Sequence, residues 1–129
     1  MTASSKPTLL AIVELGGYPN FAPVYARAGY VVESVSTVRK ALAMLKTITP
    51  AVIVAEFNFQ SDFRDRTSSL ESLLAVVQRT PDTKVIVFYE YEHAHQLAKL
   101  QARFPIHAAL AYPVDVQKLE ASLHHAATS

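Results

Sequence analysis

The stretch that most constrains the fold of this chain is Pro50-Ala-Val-Ile-Val-Ala-Glu56, an apolar run that ends abruptly on a carboxylate. Small and β-branched side chains in unbroken succession suit a strand covered on both faces, as in a parallel sheet. Glu56 then stands at the carboxyl end of that strand. In open α/β sheets this edge is where ligands and chemistry are found.

The rest of the chain repeats the theme. Thr8-Leu-Leu-Ala-Ile-Val-Glu14 is a second buried run ending on an acid. Gly16 and Gly17 open a turn, and a short helix follows through Phe21, Val24, Tyr25 and Ala28, with Pro23 in its first turn and Gly29 closing it. Tyr30 to Val35 reads as a more exposed strand. Ser36 or Thr37 caps a helix whose Val38, Ala41, Leu42 and Leu45 form one stripe. After Glu56 comes a polar loop, Phe57 to Ser69, punctuated by Phe57, Phe59 and Phe63. Loops of about 12 residues or more are uncommon in compact domains and are often functional.

Ser68-x-x-Glu71 has the form of a capping box for a third helix that buries Leu70, Leu73, Leu74 and Val77. Lys84 to Tyr89 is a fourth apolar strand, and a helix carrying Ala94, Leu97, Leu100 and Phe104 follows. Ile106 to Tyr112 is a fifth strand, followed by Pro113. Asp115 caps a last helix with Val116, Leu119 and Leu123 inward. Strands alternating with helices five times over predict an α/β fold, a parallel sheet with helices on both faces.

With 129 residues, half of them apolar, the chain supports one domain with a real core. The expected organisation is a flexible N-terminus over residues 1–7 and a single domain over 8–127. A formal charge of +1 offers no electrostatic footprint for nucleic acid or an acidic membrane surface. Without cysteine there are no disulfides, thiolate metal sites or cysteine nucleophile. No apolar run approaches the roughly 18 residues of a membrane span, and Met1–Pro7 lacks the order of a secretion signal. A cytoplasmic protein is expected.

Five βα units of this length, with acids ending the first and third strands and Pro113 just after the fifth, resemble the receiver domain of response regulators, the CheY-like family. The local matches are Ala28-Gly-Tyr30, Pro50-Ala-Val-Ile-Val-Ala-Glu56 and Tyr112-Pro-Val-Asp115. The resemblance implies a three-layer αβα sandwich with strand order 2-1-3-4-5, and a place in two-component signal transduction. It also implies that the chemistry is degenerate. Glu56 stands at the phosphoacceptor position. Glu14 matches one metal-binding acid, and Leu15 replaces the other. Tyr89 replaces the hydroxyl residue ending the fourth strand, Tyr112 the lysine before Pro113, and Ala109 the switch aromatic.

Each replacement has a physical meaning. Mg²⁺ requires hard oxygen ligands, which Leu15 does not offer. With Tyr112 in place of lysine no cation neutralises an acyl phosphate, and phosphoryl transfer depends on such stabilisation. The implied protein is a non-phosphorylatable pseudo-receiver, not an enzyme and without cofactor, that works by binding proteins. Two alternatives stay open: a small-ligand or metal-binding domain using Glu14 and Glu56, or a receiver with residual phosphoacceptor activity. Tyr89 and Tyr112 are expected to donate hydrogen bonds towards Glu56, or to stack outward on a partner. Homodimerisation is expected through the fourth helix, fifth strand and fifth helix, with Lys99 and Arg103 on the outer face. The competing docking surface is the loop carrying Phe59, Phe63, Arg64 and Arg66. His93, His95, His124 and His125 lack the spacing of a zinc site and read as solvated helix residues.

Overall fold

The computed structural model describes residues 7–13, 21–57, 69–80 and 82–128. Five parallel strands form one sheet in the order β2-β1-β3-β4-β5. They are β1 (Thr8–Ile12), β2 (Val31–Val35), β3 (Val52–Glu56), β4 (Lys84–Tyr89) and β5 (Ala108–Ala111). The helices are α1 (Ala22–Arg27), α2 (Val38–Met44), α3 (Ser69–Val77), α4 (Ala94–Gln101) and α5 (Val116–Thr128), with a 3₁₀ turn over Tyr91–His93 leading into α4. This is the three-layer α/β architecture expected from the sequence, strand order included.

Every residue of β3 is buried. The reason is its place at the middle of the sheet, paired with β1 on one side and β4 on the other. Its side chains alternate between two cores. Ile53 and Ala55 join Leu10, Ile12, Val85 and Val87 under α2, α3 and α4, which contribute Val38, Ala41, Leu73, Leu74, Val77, Leu97 and Leu100. Val52 and Val54 join Leu9, Ala11, Ile86 and Phe88 under α1 and α5, which contribute Val24, Tyr25, Leu119 and Leu123. Thr83 ties the strand starts together, its buried hydroxyl donating to the Pro50 carbonyl at 2.8 Å.

Local signals explain the element ends. Thr37 caps α2, its hydroxyl oxygen accepting from the Lys40 N–H at 3.0 Å. Asp115 caps α5, its carboxylate accepting from the Gln117 N–H at 2.8 Å. Gly29 takes φ +98° after α1, a conformation that costs a residue with a Cβ. Tyr30 anchors α5 across the sheet edge, its hydroxyl donating to the Leu123 carbonyl at 3.0 Å.

Four expectations are corrected. Val116 is 40% exposed rather than inward, because it opens the first turn of α5, and Val114 before it packs on the core instead. Phe57 is not part of the polar loop. It is buried beside Ala55, with its N–H donating to the Phe88 carbonyl at 2.8 Å. β5 is shorter than Ile106 to Tyr112, although ladder bonds from His107 N–H to Val85 and from Tyr112 N–H to Tyr89 flank it. α4 ends at Gln101, so Phe104 reaches the core from beyond the helix. Ser68 of the expected capping box lies outside the described residues. Among the described residues no helix is long and apolar enough to cross a membrane.

The two faces of α5 are expected to respond very differently to truncation. Leu119→Ala, at a fully buried position, should cost about 2–5 kcal/mol of stability. Val116→Ala should stay within about 0.5 kcal/mol. Urea unfolding of both variants measures the contrast, and similar losses would contradict the assigned inward face.

Candidate functional site

The site is built on the carboxyl ends of β3 and β4. Glu56 is the last residue of β3 and is 5% exposed, so its carboxylate is held in a region of low dielectric. Alternation along β3 sends Val52, Val54 and therefore Glu56 towards α1 and α5. Its register partner is Phe88 of β4, which shares that face.

Two aromatic residues from the α1 region complete the surroundings. Phe21 precedes α1, and Tyr25 lies one turn on, with its N–H donating to the Phe21 carbonyl at 3.0 Å. The i, i+4 spacing places both on one side of the helix. The Phe21 and Phe88 rings meet edge to face, 5.5 Å between centroids at 74°. Tyr25 is 4% exposed. Burial pushes its phenol well above the usual range, and the Glu56 charge pushes it further in the same direction. Burial alone raises Tyr30.

The sequence-based candidates divide into three groups. Glu56 is where the strand pattern put it. Tyr89 is not its neighbour: it lies on the opposite face, packed with Ala109 against the core under α4. The expected Tyr89 hydrogen bond to Glu56 is therefore overturned by the two-residue period of the strand. Tyr112 is 44% exposed beyond β5 and joined to Pro113 by a cis peptide bond. Arg103 is engaged within the chain, 2.7 Å from the Glu71 carboxylate and over the Phe104 ring at 5.1 Å, while Lys99 is exposed on α4. Glu14, Leu15, Phe59, Phe63, Arg64 and Arg66 lie outside the described residues. The pairing of Glu14 with Glu56 therefore involves a residue outside the described ones.

Tyr25, Phe21 and Phe88 were missed as site residues by sequence reasoning. For Phe88 a signal existed, since it sits one residue before Tyr89 and thus on the other face of β4. For Tyr25 there was none beyond its spacing from Phe21. Among the described residues, Arg27 pairs with Glu120 and Arg103 with Glu71, so these two cations are committed away from Glu56. Among the described residues no group of three or more His, Asp or Glu side chains is arranged to hold a metal ion.

Among the described residues, the Tyr25 phenol and the Phe88 ring border the Glu56 carboxylate.

Comparison with solved structures places this architecture among receiver domains. The receiver domain of NtrX from Brucella abortus superposes with a TM-score of 0.75 at 15% identity, over 95% of this chain and 98% of that one. An N-terminal signal receiver domain of a two-component response regulator from Bacteroides fragilis gives 0.74 at 20% identity, over 97% and 99%. The signal receiver domain of an HD domain-containing protein from Pseudomonas fluorescens Pf-5 gives 0.74 at 18%, over 96% of each chain. No protein-family model matches the chain, and no curated protein matches it. The chain thus has the fold of a response-regulator receiver domain.

Tyr25 should show its surroundings in alkaline solution. Its phenol holds its proton more tightly in the folded chain than in the unfolded one, whose tyrosines titrate near about 10. The stabilisation is fully present below that pH and is lost as pH rises beyond it. The melting temperature should therefore fall above about pH 10, less steeply in Tyr25→Phe. In Glu56→Gln the Tyr25 titration, followed by carbon NMR of labelled tyrosine, should move down yet stay above the ordinary value, because burial is the larger cause. An unshifted Tyr25 in the wild type would refute the contact.

Proposed function

We propose that residues 8–127 form a receiver-like domain of a two-component signalling pathway that does not accept a phosphoryl group and acts by binding other proteins in the cytoplasm. The observation that carries the reading is the aromatic side of the Glu56 site. The acid is buried beside Tyr25 and Phe88, and Tyr112 stands where the resembled family has its lysine. An acyl phosphate on Glu56 would meet these rings, while the described cations Arg27 and Arg103 are paired elsewhere. Glu56 works in this reading as a standing acid at the end of β3, one that does not cycle through a phosphorylated form.

Intact-mass spectrometry after incubation with acetyl phosphate and Mg²⁺ tests the chemistry. The expected result is no mass change, and a stoichiometric gain of one phosphoryl group would refute the reading.

Self-association through α4, β5 and α5 is part of the same proposal. Support comes from the exposed outer faces of α4 and α5, where His95, Ala98, Lys99, Gln117, Ala121 and His124 all reach solvent. Small residues among mixed charges allow two copies to approach across a two-fold axis. Arg103 is a poor probe of this face, since Arg103→Glu would also break its ion pair with Glu71. Light scattering should show a dimer for the wild type and a shift to monomer for Lys99→Glu. A wild type that stays monomeric at high concentration moves the docking surface to the loop bearing Phe59, Phe63, Arg64 and Arg66.

A further inference from the structure

Beyond the carboxyl ends of β4 and β5, three large apolar residues among those described face water. Tyr91 is 77% exposed, Tyr112 44% and Val116 40%. Chain connectivity places them beyond neighbouring strand ends. Tyr89 and Ala111 are register partners in neighbouring strands, and the Tyr112 N–H donates to the Tyr89 carbonyl at 2.8 Å. Tyr91 therefore begins two residues after one strand end, and Tyr112 one residue after its neighbour, on strands spaced about 4.8 Å apart. Val116 opens α5 four residues further on.

The charges in this region are chiefly of one sign. Glu90 and Glu92 flank Tyr91, and Asp115 precedes Val116; all three are exposed. Asp115 offers its carboxylate to the Gln117 N–H, which fixes it at the start of the helix. The other titratable groups close by in the chain are Lys118 in the first turn of α5, and His93 and His95 at the entry to α4. Two exposed phenol rings offer π faces to a cation, and carboxylates beside them stabilise the same cation. Guanidinium suits both, because it stacks flat on aromatic rings while its edge donates to carboxylates.

We infer that the exposed patch of Tyr91, Tyr112 and Val116, rimmed by Glu90, Glu92 and Asp115, docks an arginine-bearing basic segment of a partner protein. This rests on the protein-binding reading above and names the chemistry of the partner. Tyr91 and Tyr112 supply the flat surface for guanidinium and aliphatic side chains. The acids hold the charge and speed its approach. Contact through these rings also puts the partner at the sheet edge where Glu56 is buried.

Fluorescence anisotropy with a labelled peptide alternating arginine and leucine tests the inference, beside a matched peptide with glutamate in place of arginine. The arginine peptide should bind, and the glutamate peptide should not. Binding should weaken about three- to tenfold in the Tyr91→Ala/Tyr112→Ala variant. It should also weaken in Glu90→Lys/Glu92→Lys, and between about 0.05 M and about 0.3 M salt. All four substituted positions reach solvent, and unchanged melting temperatures verify that the variants fold. As a measurement on the wild type alone, amide shifts on titration should centre on Tyr91, Tyr112 and Asp115.

Absence of binding, equal binding of the glutamate peptide, or shifts centred elsewhere would overturn the inference. So would a wild-type dimer dissociated by Tyr91→Ala, which would make a second copy the occupant. Uptake of a phosphoryl group would overturn the pseudo-receiver reading while leaving arginine binding intact, so the two failures are distinguishable.

Discussion

The fold depends on burying β3 from both sides at once. A strand with Val52 and Val54 facing one core and Ile53 and Ala55 facing the other can be satisfied only when helices cover each face of the sheet. Its backbone groups must also pair with strands on both edges, and β1 and β4 supply those partners. Parallel neighbours require crossover helices, and these are the helices that cover the faces. One apolar run thereby specifies much of the architecture around it.

The same burial shapes the site. A carboxylate carried at the end of such a strand enters a half-apolar environment, and its behaviour is set by what the adjacent elements bring to that spot. Among the described residues they bring Phe88, Phe21 and Tyr25. The phenol responds by holding its proton, since an ionised Tyr25 would be both desolvated and repelled by Glu56. Glu56 and its aromatic neighbours form the inner part of the sheet edge, and the exposed tyrosines Tyr91 and Tyr112 form the outer part. Glu56 is sheltered inside, while Tyr91 and Tyr112 lie exposed at the rim.

Much of the fold was legible in the residues because burial and capping are local in their demands. The runs at Thr8 and Val52, the Thr37 and Asp115 caps and the turn at Gly29 each occur where the chain pattern puts them. Val116 was misread because periodicity alone does not say where a helix begins to touch the core. Phe57 was misread because an aromatic residue beside polar ones looks like a loop residue until the ladder bond to Phe88 draws it inward.

The sequence by itself determined the alternation of strand and helix, the apolar centre of the sheet and the acid at the end of β3, because each follows from side-chain type and spacing along the chain. Only the tertiary structure decided which side chains meet that acid. Tyr89 and Phe88 are adjacent in the chain and equally aromatic, yet the strand period sends one under α4 and the other to Glu56. Tyr25 reaches the same place from a different helix, and Arg103 is drawn to Glu71. These are contacts between residues distant in sequence, and no local pattern encodes them: they exist only once the crossovers have set the helices against the sheet.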